Sequence, residues 1–362
     1  MREQESWKQK WMVLSLCVLM FCTSGAWADF TFGEPVNLGA PINTSRHEGL
    51  PMISSDGLSL YFSSNDPSGY GELDIMVTKR RSTKDAWEPA TNLGPIVNSS
   101  ELDGWTCISA DGLTLYFSRI KPDWSSAAIW QTTRPTVDDD WTPPVKLGAP
   151  INSGGEICPC ISANGLEFYF VSDRHGGDNM YVCKRESTQD AWSEPVALDV
   201  LNSYSYDYGF CLSADGLTMF FYSWRAEGYG KSDIYITTRP TLDADWSPPV
   251  NIGPPVNSSY VELIPCISSD GHTLYFSENP NFPPSRPGGM GGDDIWTASI
   301  DPIVDFNGDG IVDLADLSIL IERWDTDDSV CDIGPMPWGD GVVDGRDLLV
   351  LAESMVETSD QK

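Results

Sequence analysis

Basic residues are scarce in this chain: 22 Lys and Arg stand against 53 Asp and Glu over 362 residues, a formal net charge of −31 at neutral pH. A surface that acidic repels phosphate backbones and anionic headgroups, which argues against nucleic-acid binding and a polybasic membrane contact. Long apolar runs are lacking too. The longest, Trp11 to Cys22, is about 12 residues, where a helix crossing a bilayer needs about 20, so no membrane span is expected. The only histidines are His47, His175 and His272, and none stands in a ligand-spaced cluster. No Gly-x-Ser-x-Gly elbow, zinc-spaced set or phosphate loop occurs. Long helical apolar patterns are few, whereas Gly 32, Pro 26 and Trp 14 are plentiful. With 41% hydrophobic and 11% aromatic residues, wholesale disorder is excluded and a turn-rich all-β body is expected.

Lys8 and Lys10 precede the apolar run, and Ala26-Trp27-Ala28 places small residues where signal peptidase reads. Residues 1–28 therefore read as a secretory signal peptide, and the protein is expected to be secreted, periplasmic or at the cell surface. Beyond it stand Cys107, Cys158, Cys160, Cys183, Cys211, Cys266 and Cys331. That odd number leaves at least one thiol unpaired within the chain. Cys107, Cys160, Cys211 and Cys266 each stand two residues before a Ser at the same place in an internal repeat, so they read as small buried hydrophobes.

The repeat is the main signal. Ile53-Ser-Ser-Asp-Gly-Leu-Ser-Leu-Tyr-Phe-Ser returns from Ile108, Ile161, Leu212 and Ile267, with turn residues Asp56, Asp111, Asn164, Asp215 and Asp270 spaced by 55, 53, 51 and 55. Asp-Gly or Asn-Gly between alternating apolar flanks predicts a tight hairpin with both central residues at positive φ. A third strand is predicted near Asp74-Ile75, Ile129-Trp130, Met180-Tyr181, Asp233-Ile234 and Asp294-Ile295. A fourth element is predicted from Trp87, Trp141, Trp192 and Trp246. Four strands per unit of roughly 50 residues is the period of a propeller blade. The fifth unit lacks its fourth element, and Phe32-Gly-Glu-Pro-Val-Asn-Leu-Gly near the start supplies one. An N-terminal strand completing the last blade closes a ring of five and removes exposed sheet edges.

The recurring Ser-x-Asp-Gly-x-x-Leu-Tyr-Phe-Ser with its Asp-Ile pair resembles the PD40, or WD40-like, propeller repeats of TolB-type proteins, over about residues 29–300. TolB itself has six blades, and this chain reads as five. The resemblance implies a propeller scaffold, with members that bind ligands or serve as accessory domains.

Eight residues before each turn position stands an acid: Glu48, Asp103, Glu156, Asp207 and Glu262. Five acids at one channel mouth would suit a cation or a sugar hydroxyl; alternatively, each accepts backbone N–H bonds from a neighbouring blade. Trp105, Trp124, Tyr204, Tyr206, Tyr208 and Trp224 fall outside the repeat consensus and suit stacking on sugar or peptide, or packing within loops.

After Asp301-Pro302 the composition shifts: residues 301–353 hold 14 acids against Arg323 and Arg346. Asp305, Asn307, Asp309, Asp313 and Asp316 take calcium-loop positions 1, 3, 5, 9 and 12, with Gly310 at 6 and the Ile311 carbonyl at 7. Leu317, Leu320, Ile321 and Trp324 are expected to form the apolar stripe of a short helix after it. A second copy offers Asp340, Val342, Asp344 and Asp347, while Met336 and Trp338 fall where ligands would stand; an insertion would let Asp332 replace the first. Two loop-and-helix units resemble a type I dockerin over about residues 303–355. This implies bound calcium in an EF-hand-like α-helical domain and a cohesin-like partner. Where the family often carries Ser or Thr, this chain has Leu314-Ala315 and Gly345-Arg346.

The expected protein is thus an exported five-bladed propeller with a calcium-binding tail. It is non-catalytic, binds carbohydrate or protein, and is docked in polysaccharide-degradation machinery. The alternative is a glycoside hydrolase acting on polysaccharide at the channel mouth, with Asp103, Asp207 and Glu262 as its acids, a reading weakened by their equivalence.

Overall fold

The computed structural model describes residues 30–281, 285–308, 311–326, 328, 330–334 and 342–360. The predicted signal peptide, Asp309 and Asp340 lie outside them. The chain divides into two compact units, Phe32–Ile300 and one that contains Asp301–Lys362.

The first unit is five antiparallel sheets. Two short strands, β1 (Phe30–Phe32) and β2 (Val36–Asn37), precede the first blade. That blade comprises β3 (Glu48–Ile53), β4 (Ser59–Ser64), β5 (Asp74–Lys79) and β6 (Thr91–Asn92). The second has β7 (Leu102–Ile108), β8 (Thr114–Ile120), β9 (Ala127–Thr133) and β10 (Val145–Lys146). The third has β11 (Glu156–Ile161), β12 (Glu167–Ser172), β13 (Asn179–Lys184) and β14 (Val196–Ala197). The fourth has β15 (Asp207–Leu212), β16 (Thr218–Ser223), β17 (Asp233–Thr238) and β18 (Val250–Asn251). The last begins with β19 (Glu262–Ile267), β20 (Thr273–Glu278) and β21 (Asp294–Pro302), and the chain's first strands finish it. Val36 pairs with Thr297 and Asn37 with Trp296. The inner strands β3, β7, β11, β15 and β19 each pack on the next, and β19 packs back on β3. The ring is closed at five.

Each second strand is sandwiched between neighbouring blades, so both of its faces are apolar and buried. Phe62, Phe117, Phe170, Phe221 and Phe276 are all at most 1% exposed. The outer strands are shorter than the sequence suggests. They hold two residues each, because Pro89, Pro143, Pro195 and Pro248 remove N–H donors just before them. The tryptophans there serve another purpose. Arg80, Arg134, Arg185 and Arg239 lie 4.1–4.5 Å over the rings of Trp87, Trp141, Trp192 and Trp246. Each arginine Nε also donates to the hairpin carbonyl of Gly57, Gly112, Gly165 or Gly216.

The hairpins differ from expectation in one detail. Only the glycines (Gly57, Gly112, Gly165, Gly216 and Gly271) have positive φ, at 69–77°. The preceding Asp or Asn instead accepts a hydroxyl from the Ser two residues earlier and an N–H from two residues later, as Asp56 does from Ser54 and Leu58. That is an Asx-type turn with a left-handed glycine after it.

A second repeated device is an asparagine that clamps a third strand. Asn98 Oδ1 accepts the Ile75 N–H at 2.9 Å and its Nδ2 donates to the Ile75 carbonyl at 3.0 Å. Asn152, Asn202 and Asn257 repeat it on Ile129, Met180 and Ile234. Asn43 performs it on Ile295 in the last blade, so the closure uses the same lock as every other blade.

The second unit carries α1 (Leu314–Glu322) and α2 (Gly345–Asp360). Its core is Val304, Leu320, Cys331, Ile333, Val343, Val350 and Leu351. Leu317 and Ile319 pack against this core, while Ile321 and Trp324, predicted on the apolar stripe, are exposed. No helix among the described residues is long and apolar enough to cross a membrane.

Candidate functional site

The five acids open the inner strands, and the structure buries every one: Glu48, Asp103, Glu156, Asp207 and Glu262 are 0–3% exposed. Four of them face an arginine contributed by the end of the second strand or the loop after it. Arg119 Nε lies 2.6 Å from Asp103, Arg174 Nη2 3.1 Å from Glu156, Arg225 Nη2 3.2 Å from Asp207, and Arg286 Nη2 2.9 Å from Glu262. Glu48 lacks an arginine and accepts from the Thr44 N–H and hydroxyl and from Ser64. Ser99 and Ser203 donate both N–H and hydroxyl to Asp103 and Asp207. The same arginines donate to the incoming loop at Val97, Ile151, Leu201 and Val256. Each acid thus fastens its own blade's entry loop. Burial raises Asp103, and burial pushes Glu262 up to about 7 against the pull of Ser258 and Arg286. The structure does not bring Asp103, Asp207 and Glu262 to a common surface.

Two residues beyond each acid the inner strand bulges, and the register slips in all five blades. The bulge residues Leu50, Trp105, Cys158, Gly209 and Ile264 all have left-handed φ, of 45–59°. For a bulky or β-branched side chain this costs on the order of 1–3 kcal/mol. Only Gly209 escapes that cost, and it has a steric reason to be glycine: an added Cβ would lie 2.6 Å from Ile264 Cδ1 of the next blade. Leu50, Ile264, Leu73 and Tyr222 cluster, with Trp105, Tyr208 and Trp224 packed against them.

Above this cluster opens a cavity of about 580 Å³ lined by Leu50, Trp105, Trp124, Tyr222, Ile264, His47 and Asp293, with Asn65, Glu72, Asn279 and Asn281 among its polar walls. Trp124, also left-handed at φ 58°, is 61% exposed and meets Trp105 edge-on at 6.4 Å. From Tyr222 in the cavity wall, Tyr208 and Tyr206 stack in series at 5.9 and 5.6 Å. Tyr208 donates to Asp178, and Tyr206 is 58% exposed. Tyr204 is fully exposed. His47 Nδ1 lies 3.0 Å from Asp293 Oδ2, while buried Asp293 Oδ1 has no hydrogen-bond partner. Sequence reasoning set His47 aside and had no signal for Asp293 or Tyr222. His175 packs against Tyr181 and His272 is exposed in a hairpin, both away from this cavity's lining.

In the second unit, two loops are built alike. Asp316 Oδ1 accepts the Phe306 and Asn307 N–H groups and its Oδ2 the Asp313 N–H. Asp347 does the same for Ile333, Gly334 and Asp344. Both carboxylates are fully buried, and Asp313 and Asp344 cap the helices behind them. By this correspondence Asp332 stands in the second loop where Asp305 stands in the first. Asp305, Asn307, the Ile311 carbonyl, Asp313 and Asp316 are a hard-oxygen set suited to calcium. Val342, Asp344, Asp347 and Asp332 are its counterparts. Among the described residues no three carboxylate, thiol or imidazole groups already converge as a metal site.

No family model and no curated protein matches the chain. Solved structures with similar folds include TolB from Acinetobacter baumannii, at 13% identity and TM-score 0.43, over 75% of this chain and 63% of that one. The α-L-arabinofuranosidase PaAbf62A from Podospora anserina aligns at 14% identity and TM-score 0.46, over 76% and 98%. A thermostable family-43 glycoside hydrolase aligns at 15% and 0.47, over 75% and 94%. The chain spans less than two thirds of that TolB. The five-bladed assignment stands on this chain's own strand pairing.

Proposed function

We propose that the propeller is a non-catalytic carbohydrate-binding module whose ligand sits in the aromatic mouth, and that the tail is a calcium-dependent docking module of an exported protein. The observation that carries the first part is the Trp105–Trp124 pair. Both residues hold left-handed backbone, and Trp124 leaves most of its ring in water. Strain and apolar exposure each cost stability, and a sugar face stacked on that ring recovers the exposed area. The unpartnered Asp293 Oδ1 and the Asn279 and Asn281 amides supply hydroxyl partners. Glu72 and Asp293 stand in the wall and its one arginine, Arg46, is paired with Asp66 at 2.7 Å, so a neutral polysaccharide is favoured over an anionic one.

The test is binding to soluble neutral glucans, xylans and arabinans by affinity electrophoresis or calorimetry. Trp124→Ala should weaken binding about tenfold, since an aromatic stacking contact is worth roughly 1–1.5 kcal/mol. Unchanged affinity in that variant would overturn the proposal. Sugar release abolished by Asp207→Asn or Glu262→Gln would replace it with the hydrolase reading.

For the tail, calcium held by Asp305, Asn307, Asp309, Ile311, Asp313 and Asp316 would neutralise carboxylates that otherwise repel. EGTA should remove the helical signal of residues 303–355 from a circular dichroism melt and leave the propeller transition in place. A melt indifferent to chelation would remove calcium from the account. The docking partner we propose is a cohesin-like protein, with pull-down by a cohesin panel in calcium as its check.

A further inference from the structure

All five inner strands carry sulfur at one level of the channel: Met52, Cys107, Cys160, Cys211 and Cys266. The thiols are free and buried. Each accepts a backbone N–H from the following blade. Ile161 N–H reaches Cys107 Sγ at 3.3 Å and Ile53 N–H reaches Cys266 Sγ at 3.4 Å, while Leu212 and Ile267 serve Cys160 and Cys211. Such donors favour the thiolate. The thiols also meet in twos. Cys211 Sγ lies 3.7 Å from Cys266 Sγ, and Cys107 and Cys160 hold the matching positions on the packed inner strands β7 and β11. Cys266 Sγ lies 3.7 Å from Met52 Sδ, so the thioether separates the two ends of the run.

We propose that this ring is an oxidation site that closes into two inter-blade disulfides, Cys107–Cys160 and Cys211–Cys266, by reaction with a small peroxide. The pairing follows from the order around the channel. Linking Cys160 to Cys211 would strand Cys107 and Cys266 on either side of Met52, which cannot form a disulfide. The cavity at this level, lined by Met52, Cys107, Cys160 and Cys211, is about 80 Å³. It has room for hydrogen peroxide, whereas the thiols, only 1–5% exposed, lie too deep for a tripeptide disulfide to reach.

Of this pair, Cys211 lines the cavity and Cys266 stands behind it at 3.7 Å. Cys211 is therefore the thiol that meets the peroxide. Its thiolate sulfur attacks one peroxide oxygen, the O–O bond breaks, and hydroxide leaves a sulfenic acid. The Cys266 sulfur then attacks the Cys211 sulfur, the S–O bond breaks, and water departs with the Cys266 proton. Two thiols lose two electrons, and one peroxide becomes two waters once the hydroxide takes up the proton that Cys211 released. The sulfurs need only close from 3.7 Å to about 2.05 Å.

The test treats the full chain with hydrogen peroxide, blocks remaining thiols and maps peptides without reductant. The expected result is a 107–160 and a 211–266 cross-link and a mass lower by about 4 Da. Cys158, Cys183 and Cys331 should remain reduced. A melting temperature higher by on the order of 10 °C, reversed by dithiothreitol, should accompany it. Oxidised glutathione should leave the folded ring reduced, and Cys211→Ser should keep the 107–160 link alone. The wild-type map decides even if that variant does not fold. Sulfinic acids without cross-links, a 160–211 link, or equal oxidation by glutathione would each overturn the proposal.

Discussion

A chain that begins at Ser45 should not melt cooperatively as a closed ring. Without β1 and β2 the edge of β21 loses its partners at Thr297 and Trp296. The Phe32–Phe220 edge contact, 6.5 Å between centroids, goes with them, as does Ile42, which is 2% exposed. Asn43 is lost too. Its amide donates to the Ile295 carbonyl at 2.8 Å and to Asn37 at 2.7 Å, and its oxygen accepts the Ile295 N–H at 3.0 Å. The graded version is Asn43→Ala, which strands two buried backbone groups at a cost of about 2–4 kcal/mol, or roughly 10 °C in melting temperature. A synthetic peptide covering residues 30–44 should restore cooperativity to the truncated chain. A truncated protein that melts like the whole one would show that the terminal strands merely decorate the last sheet.

The propeller should be more stable at pH 5.5 than at pH 8. Glu262 has a folded-state value of about 7, above its ordinary 4.5. Between those values the folded chain keeps a proton that the unfolded chain has released, so stability falls as pH rises through the window. From pH 5.5 to 8 the drop is of order 2 kcal/mol. Burial also raises Asp103, Asp233, Glu278 and Asp294, and all act in the same direction. Glu278 shares Arg286 with Glu262, so the two titrate as a pair. Glu167 goes the other way, its burial outweighed by Arg239 and Lys184, but its effect falls below pH 4.5. Glu262→Gln should flatten the profile and melt above the wild type at pH 8. A melting temperature that is level or rising from pH 5.5 to 8, or an unchanged slope in the variant, would contradict this account.

What the sequence made legible was what repeats locally. The Asp-Gly hairpins, the third strands and the complementary terminal halves needed only periodicity and turn chemistry, and all five sheets stand where those signals put them. The geometry inside the turn was not legible, because an Asp side chain that caps its own loop carries the same letters as one at positive φ. The eightfold spacing marked the acids, yet spacing says nothing of burial. The arginines that close over Asp103, Glu156, Asp207 and Glu262 sit 16, 18, 18 and 24 residues beyond them, with no fixed spacing to mark the pairing. Of the aromatics outside the consensus, Trp105 and Trp124 line the cavity, while Asp293 enters it from a loop with no motif. In the tail, spacing marked Asp305, Asn307, Asp313 and Asp316 as one loop, and Asp316 does hold the Phe306, Asn307 and Asp313 N–H groups. The second was legible as a copy with an insertion, and its register follows from Asp347, which holds Ile333 and Gly334 as Asp316 holds Phe306 and Asn307.

The seam between Val36 and Thr297 joins residues 261 positions apart in the chain. Four sheets can assemble on a ribosome while this one waits, and β2 spends nearly the whole of synthesis without its mate. During that interval a second nascent copy presents the same raw edge. Crowded translation therefore favours exchange of leading segments between copies, and intertwined dimers are the misassembly to look for when this protein is overproduced.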